Sequence, residues 1–325
     1  MLRLLVLLSG KMALMTNPSG PTQVPLIYGH RGARGEMPEN SMAGFVHLEQ
    51  AGVRAVEIDV QNTCDGVAVV WHDHNLDPAM VRDADGNWLA SDATLIVETA
   101  FADLRVLDFG GVRAESTQAQ RFPKQVKVEG ARIASLDDVC VWAKGVDDLV
   151  FNVEIKSYAD RDDWSASPDA LAQSVCDLLQ SLGLEAQTIV SSFDWRVLSA
   201  MKQRAPQVKR GYLSYLDRPN PPMDPNIIDG SAWVDGIRLG DHNHCLPQAI
   251  ADVGGAIWAP YFEDLTAEDL ETAHRLGLTV NVWTVNAAED MLRMAEMGVD
   301  GIITDYPTMA RDLFLSETSK AQNHG

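Results

Sequence analysis

Two carboxylates, Glu57 and Asp59, stand inside an apolar run from Ala55 to Val60. Residues two apart on a strand face the same way, so these side chains share one side, about 6–7 Å apart along the backbone. If that side is an interior, the paired negative charge is costly unless something neutralises it. Glu154, in Asn152-Val153-Glu154-Ile155-Lys156, brings a third carboxylate from a second apolar run. Three carboxylates with no Cys or His among them suit a hard divalent cation, Mg2+ or Ca2+, with positions left for water and substrate. The alternative is an ion-paired structural cluster. Lys156, on the same side as Glu154, fits both readings, as an ion-pair partner or as a positive group on a bound phosphate.

Two histidines flank these carboxylates. His30 and Arg31 end the first strand, in Tyr28-Gly29-His30-Arg31-Gly32, and His72 ends the strand that follows the Asp65-Gly66 turn. A lone histidine is more often structural. Two at strand ends beside a carboxylate cluster point to proton transfer, for which imidazole is suited near neutral pH. His47 on a helix and His74 in a loop read as bystanders.

Such residues converge only if their strands do. Leu26 to Gly29, Ala55 to Val60, Leu149 to Ile155, Thr188 to Ser191, Val208 to Ser214, Ala256 to Tyr261, Leu278 to Val285 and Val299 to Asp305 all read as strands. Between them lie helix starts and glycine stops. Pro38-Glu39-Asn40-Ser41 opens a helix closed by Gly52, and Ser167-Pro168 opens one that stops at Gly183. Asp194 caps a third. Thr266 with Asp269 and Asn286 with Glu289 resemble capping boxes for the last two. Eight parallel strands with helical crossovers favour an α/β fold of the closed (β/α)8 TIM-barrel type over an open sheet, with reactive groups at the strands' C-terminal ends. Val67 to Trp71 pairs with the second strand as a hairpin. A turn-rich stretch from about residue 74 to 135 is too long for a connection and reads as an insertion or lid. Trp233 to Ile237 is a possible short strand in a loop-rich segment. The domain limits are then an N-terminal extension (1–24), one barrel domain (25–315) and a disordered tail (316–325).

Composition narrows the partners. A net charge of −20 over 325 residues argues against nucleic acid and anionic membranes, and requires any anionic substrate to meet a locally positive site. A small-molecule substrate is compatible with this charge; stable membrane insertion is not expected, and oligomeric state is not encoded legibly. Four separated cysteines without CxxC spacing read as reduced thiols, which fits the cytoplasm. Met1 to Leu8 is a short apolar run with one basic residue, Arg3, followed by Ser9-Gly10-Lys11; it reads as an extension, while residues 1–15 acting as a signal would imply a secreted or periplasmic protein.

The blocks Gly29-His30-Arg31-Gly32, Pro38-Glu39-Asn40-Ser41, Val56-Glu57-Ile58-Asp59-Val60, Asp65-Gly66, His72-Asp73, Val153-Glu154-Ile155-Lys156, Ser191-Ser192-Phe193, Val282-Trp283-Thr284-Val285-Asn286 and Asp300-Gly301-Ile302-Ile303-Thr304-Asp305 follow one another in the order of a known family. The chain resembles the glycerophosphodiester phosphodiesterases from about Leu26 to Pro307. The resemblance implies a TIM barrel with an insertion between the second and third barrel strands. It implies metal-dependent hydrolysis of glycerophosphodiesters to glycerol 3-phosphate and an alcohol, with His30 and His72 as acid and base and Glu57, Asp59 and Glu154 as metal ligands. Arg31 and Lys156 match phosphate-holding groups, and Trp283 matches an aromatic flanking the substrate. Asp77-Pro78-Ala79-Met80 and Ala134-Ser135-Leu136 depart from the family pattern around the insertion, which bears on the alcohol accepted. Lysophospholipase D-type or inositol-lipid hydrolysis on the same barrel is the alternative activity, and a catalytically inactive phosphodiester-binding barrel the alternative of another class.

Overall fold

A computed structural model describes residues 24–216 and 223–323; the N-terminal run considered above as extension or signal lies outside the described residues. The strands are β1 (Leu26–Gly29), β2 (Ala55–Asn62), β3 (Ala68–Val70), β4 (Val150–Ile155), β5 (Thr188–Ser192), β6 (Lys209–Ser214), β7 (Ile257–Pro260), β8 (Thr279–Val282) and β9 (Gly301–Thr304). The helices are α1 (Met42–Gln50), α2 (Phe101–Leu104), α3 (Thr117–Arg121), α4 (Leu136–Lys144), α5 (Pro168–Leu182), α6 (Trp195–Arg204), α7 (Leu246–Asp252), α8 (Ala267–Arg275), α9 (Ala288–Met297) and α10 (Pro307–Asn323).

Eight strands pair in parallel, from β1 through β9, β8, β7, β6, β5 and β4 to β2, and the β1–β2 pairing closes the ring. The TIM barrel expected from strand counting is therefore present. Apolar side chains alternate between two environments, as the strand pleat requires. Ile27, Val56, Ile58, Val153 and Ile302 pack outward against the helices in the main core. Tyr28, Ala55, Ile189, Ile257 and Ile303, from five strands, form a small apolar layer of their own. The polar residues that continue the Tyr28 and Ala55 alternation, His30 and then Glu57 and Asp59, come next toward the C-terminal mouth.

β3 is antiparallel on the outer half of β2, with Val60 opposite Val70, so the hairpin forms as expected. Residues 71–133 leave it to build a second apolar cluster around Trp71, Leu76, Val81, Ile96, Leu104 and Phe109. This insertion is tied to the loop after β1: Gln125 Nε2 donates to the Arg34 carbonyl (2.8 Å) and the Val126 amide to the Glu36 carbonyl (2.8 Å).

Three expectations are corrected. Trp233 to Ile237 is no strand: residues 232–234 form a 3-10 turn, and Asp235 and Gly236 both have positive φ (53° and 73°), which breaks an extended run. Asn286 does not cap α9, whose N-cap is Ala287 without a side-chain bond; the Asn286 amide is used elsewhere, as shown below. The tail expected from residue 316 is helical to Asn323, with Glu317 and Lys320 paired one turn apart at 2.7 Å.

Candidate active site

The barrel register sets the carboxylates. Asp59 lies directly opposite Glu154, and Glu57 opposite Asn152. One carboxylate oxygen from each of Glu57, Asp59 and Glu154 lies within 4.8 Å of the other two, and all three residues are buried. Among the described residues this is the one group of three such ligands. Around it the cations are already committed. Lys156 Nζ is 2.6 Å from Glu154 Oε1 and 3.7 Å from Asp59 Oδ1. Arg31 Nη1 donates to Glu39 Oε1 (2.8 Å) and its Nε lies 3.2 Å from Asp59 Oδ2. The Arg31 backbone amide, in a left-handed residue with φ of 50°, donates to Glu57 Oε2 (2.9 Å).

Two oxygens stay unsatisfied: Glu57 Oε1 and Asp59 Oδ1 are buried with no hydrogen-bond donor. Orphaned buried carboxylate oxygens are expensive, and a divalent cation is the ligand that their chemistry fits. The electrostatics of the pair point the same way. Burial, and then the Asp59 and Glu154 charges, push Glu57 well above its ordinary value. Burial alone would raise Asp59 too, but His72, Arg31, Lys156 and the Asn40 hydrogen bond hold it below the usual carboxylate range. The site thus carries more negative charge than its protein cations balance.

Each histidine has a carboxylate on Nδ1. His30 Nδ1 is 2.7 Å from Asp305 Oδ1, and its Nε2 faces the cluster, 3.9 Å from Glu57 Oε2. Burial and neighbouring Arg34 bring the His30 imidazole down to about 3, against the pull of Asp305. His72 Nδ1 is 2.6 Å from Asp73 Oδ1, on a more open edge. His72 sits past the end of the short β3 and not on a barrel strand. Gln61, next on the Glu57–Asp59 face of β2, holds that segment: its Nε2 lies 3.1, 3.1 and 2.6 Å from the carbonyls of Trp71, His72 and Asp73. Gln61→Leu, similar in shape but without donors, is expected to lower kcat roughly tenfold and to cost about 1–3 kcal/mol, because those carbonyls lose their donor; steady-state kinetics and urea unfolding check both numbers.

Trp283 is half-buried on the opposite wall, with its Nε1 on the Ala259 carbonyl (2.8 Å) and its ring edge-on to Phe193 (5.2 Å). Lys156 Nζ lies 5.6 Å over the same Phe193 ring. All eight residues singled out from the sequence therefore belong to one connected mouth.

Other members were legible only in part. Glu39 and Asn40, read as a helix start, also serve the site: Glu39 holds Arg31, and Asn40 donates from Nδ2 to Asp59 Oδ2 (2.9 Å), while Ser41 does cap α1. Arg34 and Asp305 were missed. Both lie in quoted blocks or beside them, and Asp305 ends a barrel strand, the position from which a polar group points into the mouth. His47 is indeed remote from the cluster, paired with Glu36 (2.7 Å).

Residues 30–309 match the glycerophosphoryl diester phosphodiesterase family. A glycerophosphodiester phosphodiesterase of Caldanaerobacter subterraneus is 28% identical over 282 residues, 87% of this chain and 94% of that protein. A crystal structure from Silicibacter pomeroyi, assigned as a glycerophosphoryl diester phosphodiesterase, superposes with a TM-score of 0.80 at 38% identity, covering 91% of this chain and 95% of that one. A phosphodiesterase of Oleispira antarctica, solved with the product sn-glycerol-3-phosphate, shares the fold with a TM-score of 0.65 at 22% identity, covering 90% and 97%.

Proposed function

We propose, from the premise that this chain belongs to the glycerophosphoryl diester phosphodiesterase family, that it hydrolyses glycerophosphodiesters to glycerol 3-phosphate and an alcohol, with His30 and His72 exchanging protons at a carboxylate-held divalent cation. The observation that carries the mechanism is the convergence of three carboxylate oxygens within 4.8 Å, two residues of the three having an orphaned oxygen, between two Asp-paired histidines.

Glu57, Asp59 and Glu154 would hold the cation, Mg2+ or Ca2+. When bound, it supplies charge withdrawal from a phosphoryl oxygen and a lowered pKa for a hydroxyl beside it. The remaining work falls to the chain's own groups. One histidine takes the proton from the attacking oxygen through its Nε2: from water, which gives glycerol 3-phosphate directly, or from the glycerol hydroxyl, which gives a cyclic phosphate that water then opens by the same exchange in reverse. The other gives a proton to the alcohol oxygen as its bond to phosphorus breaks, so that neither alkoxide is released free. Arg31 and Lys156 add positive charge where the phosphoryl oxygens gain negative charge. Trp283 and Phe193 offer an apolar wall against which the glycerol carbons pack. No helix among the described residues is long and apolar enough to cross a membrane.

The test is release of the free alcohol (choline, ethanolamine or inositol) from a panel of glycerophosphocholine, glycerophosphoethanolamine, glycerophosphoinositol and lysophosphatidylcholine, with glycerol 3-phosphate measured as the second product of the three deacylated diesters. Release from the deacylated diesters is expected. Turnover of lysophosphatidylcholine alone would move the activity to lysophospholipid hydrolysis, and turnover of none would leave a binding barrel.

A further inference from the structure

We infer that Asp305 is a positioning residue for the reaction, acting through His30 by fixing which imidazole nitrogen carries the proton. The inference rests on the acid/base reading of His30. β9 pairs with β1 with Gly29 opposite Thr304, so the next residue of each strand, His30 and Asp305, meet at the mouth although 275 positions apart.

Asp305 is fully buried and its carboxylate is gripped from behind. Arg34 Nε donates to Oδ1 (2.8 Å) and Nη2 to Oδ2 (3.0 Å), while Asn286 Nδ2 donates to Oδ2 (2.8 Å). Asn286 is itself set, because its Oδ1 accepts from the Asp305 amide (3.0 Å) and from Thr304 Oγ1 (3.2 Å). An ionised carboxylate can only accept, so at 2.7 Å the imidazole must donate from Nδ1. The lone pair is thereby left on Nε2, the nitrogen 3.9 Å from Glu57 Oε2 and turned toward the carboxylate cluster. With the tautomer reversed, two lone pairs would face each other at Nδ1, and the proton would occupy the nitrogen that must take one. This also explains why Asn286 leaves the α9 cap to Ala287.

Asp305→Asn in the full-length protein, with cation supplied, tests this. Oδ2 accepts from two donors and Oδ1 from Arg34 Nε and His30, so the amide oxygen is best placed at Oδ2 and the amide nitrogen turns toward His30. Nδ1 must then accept, and the proton moves to Nε2. We expect kcat to fall about 10²–10⁴-fold while KM stays within about threefold. In 15N spectra of histidine-labelled protein, assigned against the His30→Ala variant, the His30 signals should move from the Nδ1–H to the Nε2–H pattern. A kcat within about threefold of the parent, or a fall in kcat with the tautomer unmoved, overturns the inference. Should Asp305→Asn not fold, Arg34→Lys keeps the charge but loses the two-point grip, and kcat is expected to fall roughly tenfold at unchanged KM; no fall overturns it. The His30→Ala variant separates the two levels. If it turns over at the parent rate, the acid/base reading fails; if it is inactive while Asp305→Asn is fully active, that reading stands and only the positioning role falls.

Discussion

Alanine at His30 or at His72 is expected to lower kcat by about 10²–10⁴-fold, the span that positioned acid/base groups supply, with KM changed far less. The two variants should differ in stability. His72 is partly exposed and its one close partner is Asp73, so its loss leaves the fold untouched. His30 is nearly enclosed, and its removal takes one donor from the Asp305 carboxylate, which still accepts from Arg34 and Asn286. A loss of about 1 kcal/mol is the expected scale for one such bond, too little to unfold a barrel of this size. Thermal unfolding alongside kinetics therefore distinguishes lost chemistry from lost fold. Near-parent turnover in both variants would remove the proposed acid/base pair. The double variant should be little worse than either single one, because a proton relay fails once one end is gone.

The parts of the site that were legible in sequence are those whose reasons are local. Glu57 and Asp59 declare a shared face by spacing alone, and Lys156 does so beside Glu154; the structure adds only that their strands are neighbours, with Asp59 opposite Glu154. The parts that were not legible depend on pairings across the ring. Asp305 looks like one more strand-end acid until β9 is seen to close on β1. Glu39 and Asn40 satisfy a helix-start pattern so well that their grip on Arg31 and Asp59 is masked. Asn286 with Glu289 matches a capping pattern, yet both ends of the amide are taken elsewhere: Nδ2 donates to the buried Asp305 carboxylate, and Oδ1, the atom a cap would use, accepts from the Asp305 amide and Thr304 Oγ1. Trp233 to Ile237 has strand composition, but two consecutive left-handed residues decide its path. Periodicity reports which face a side chain takes; it is silent on what that face meets.

Removal of divalent cations is expected to abolish turnover, and Mg2+ or Ca2+ to restore it, with the sharper evidence coming from stability. Two orphaned oxygens and three converging carboxylates make the empty cluster a source of strain in charge. Without a cation, the simplest relief is a proton on Glu57, whose carboxyl burial and its two acidic neighbours already push well above the ordinary range. The sign of the pH effect follows. A carboxyl raised in the folded state keeps its proton there while the unfolded chain has lost it, so its contribution to stability is full below the ordinary carboxylate pKa and is lost as pH rises through the folded value. The cation-free protein should therefore lose stability as pH rises from the ordinary carboxylate range toward the raised Glu57 value. Added cation should cancel that loss by replacing the proton, and its apparent affinity should rise with pH for the same reason. At a hundredfold excess over Kd the gain is about 2.7 kcal/mol, a rise in Tm of roughly 4–5 °C for a domain of this size. Asp59→Asn and Glu57→Gln remove a charge each while keeping an oxygen for Asn40 and for the Arg31 amide to bond. Both should erase the cation-dependent Tm rise and the turnover together. A Tm that ignores Mg2+ and Ca2+ in the parent, with release unaffected by chelator, would return Glu57, Asp59 and Glu154 to the ion-paired cluster named as the alternative from their spacing.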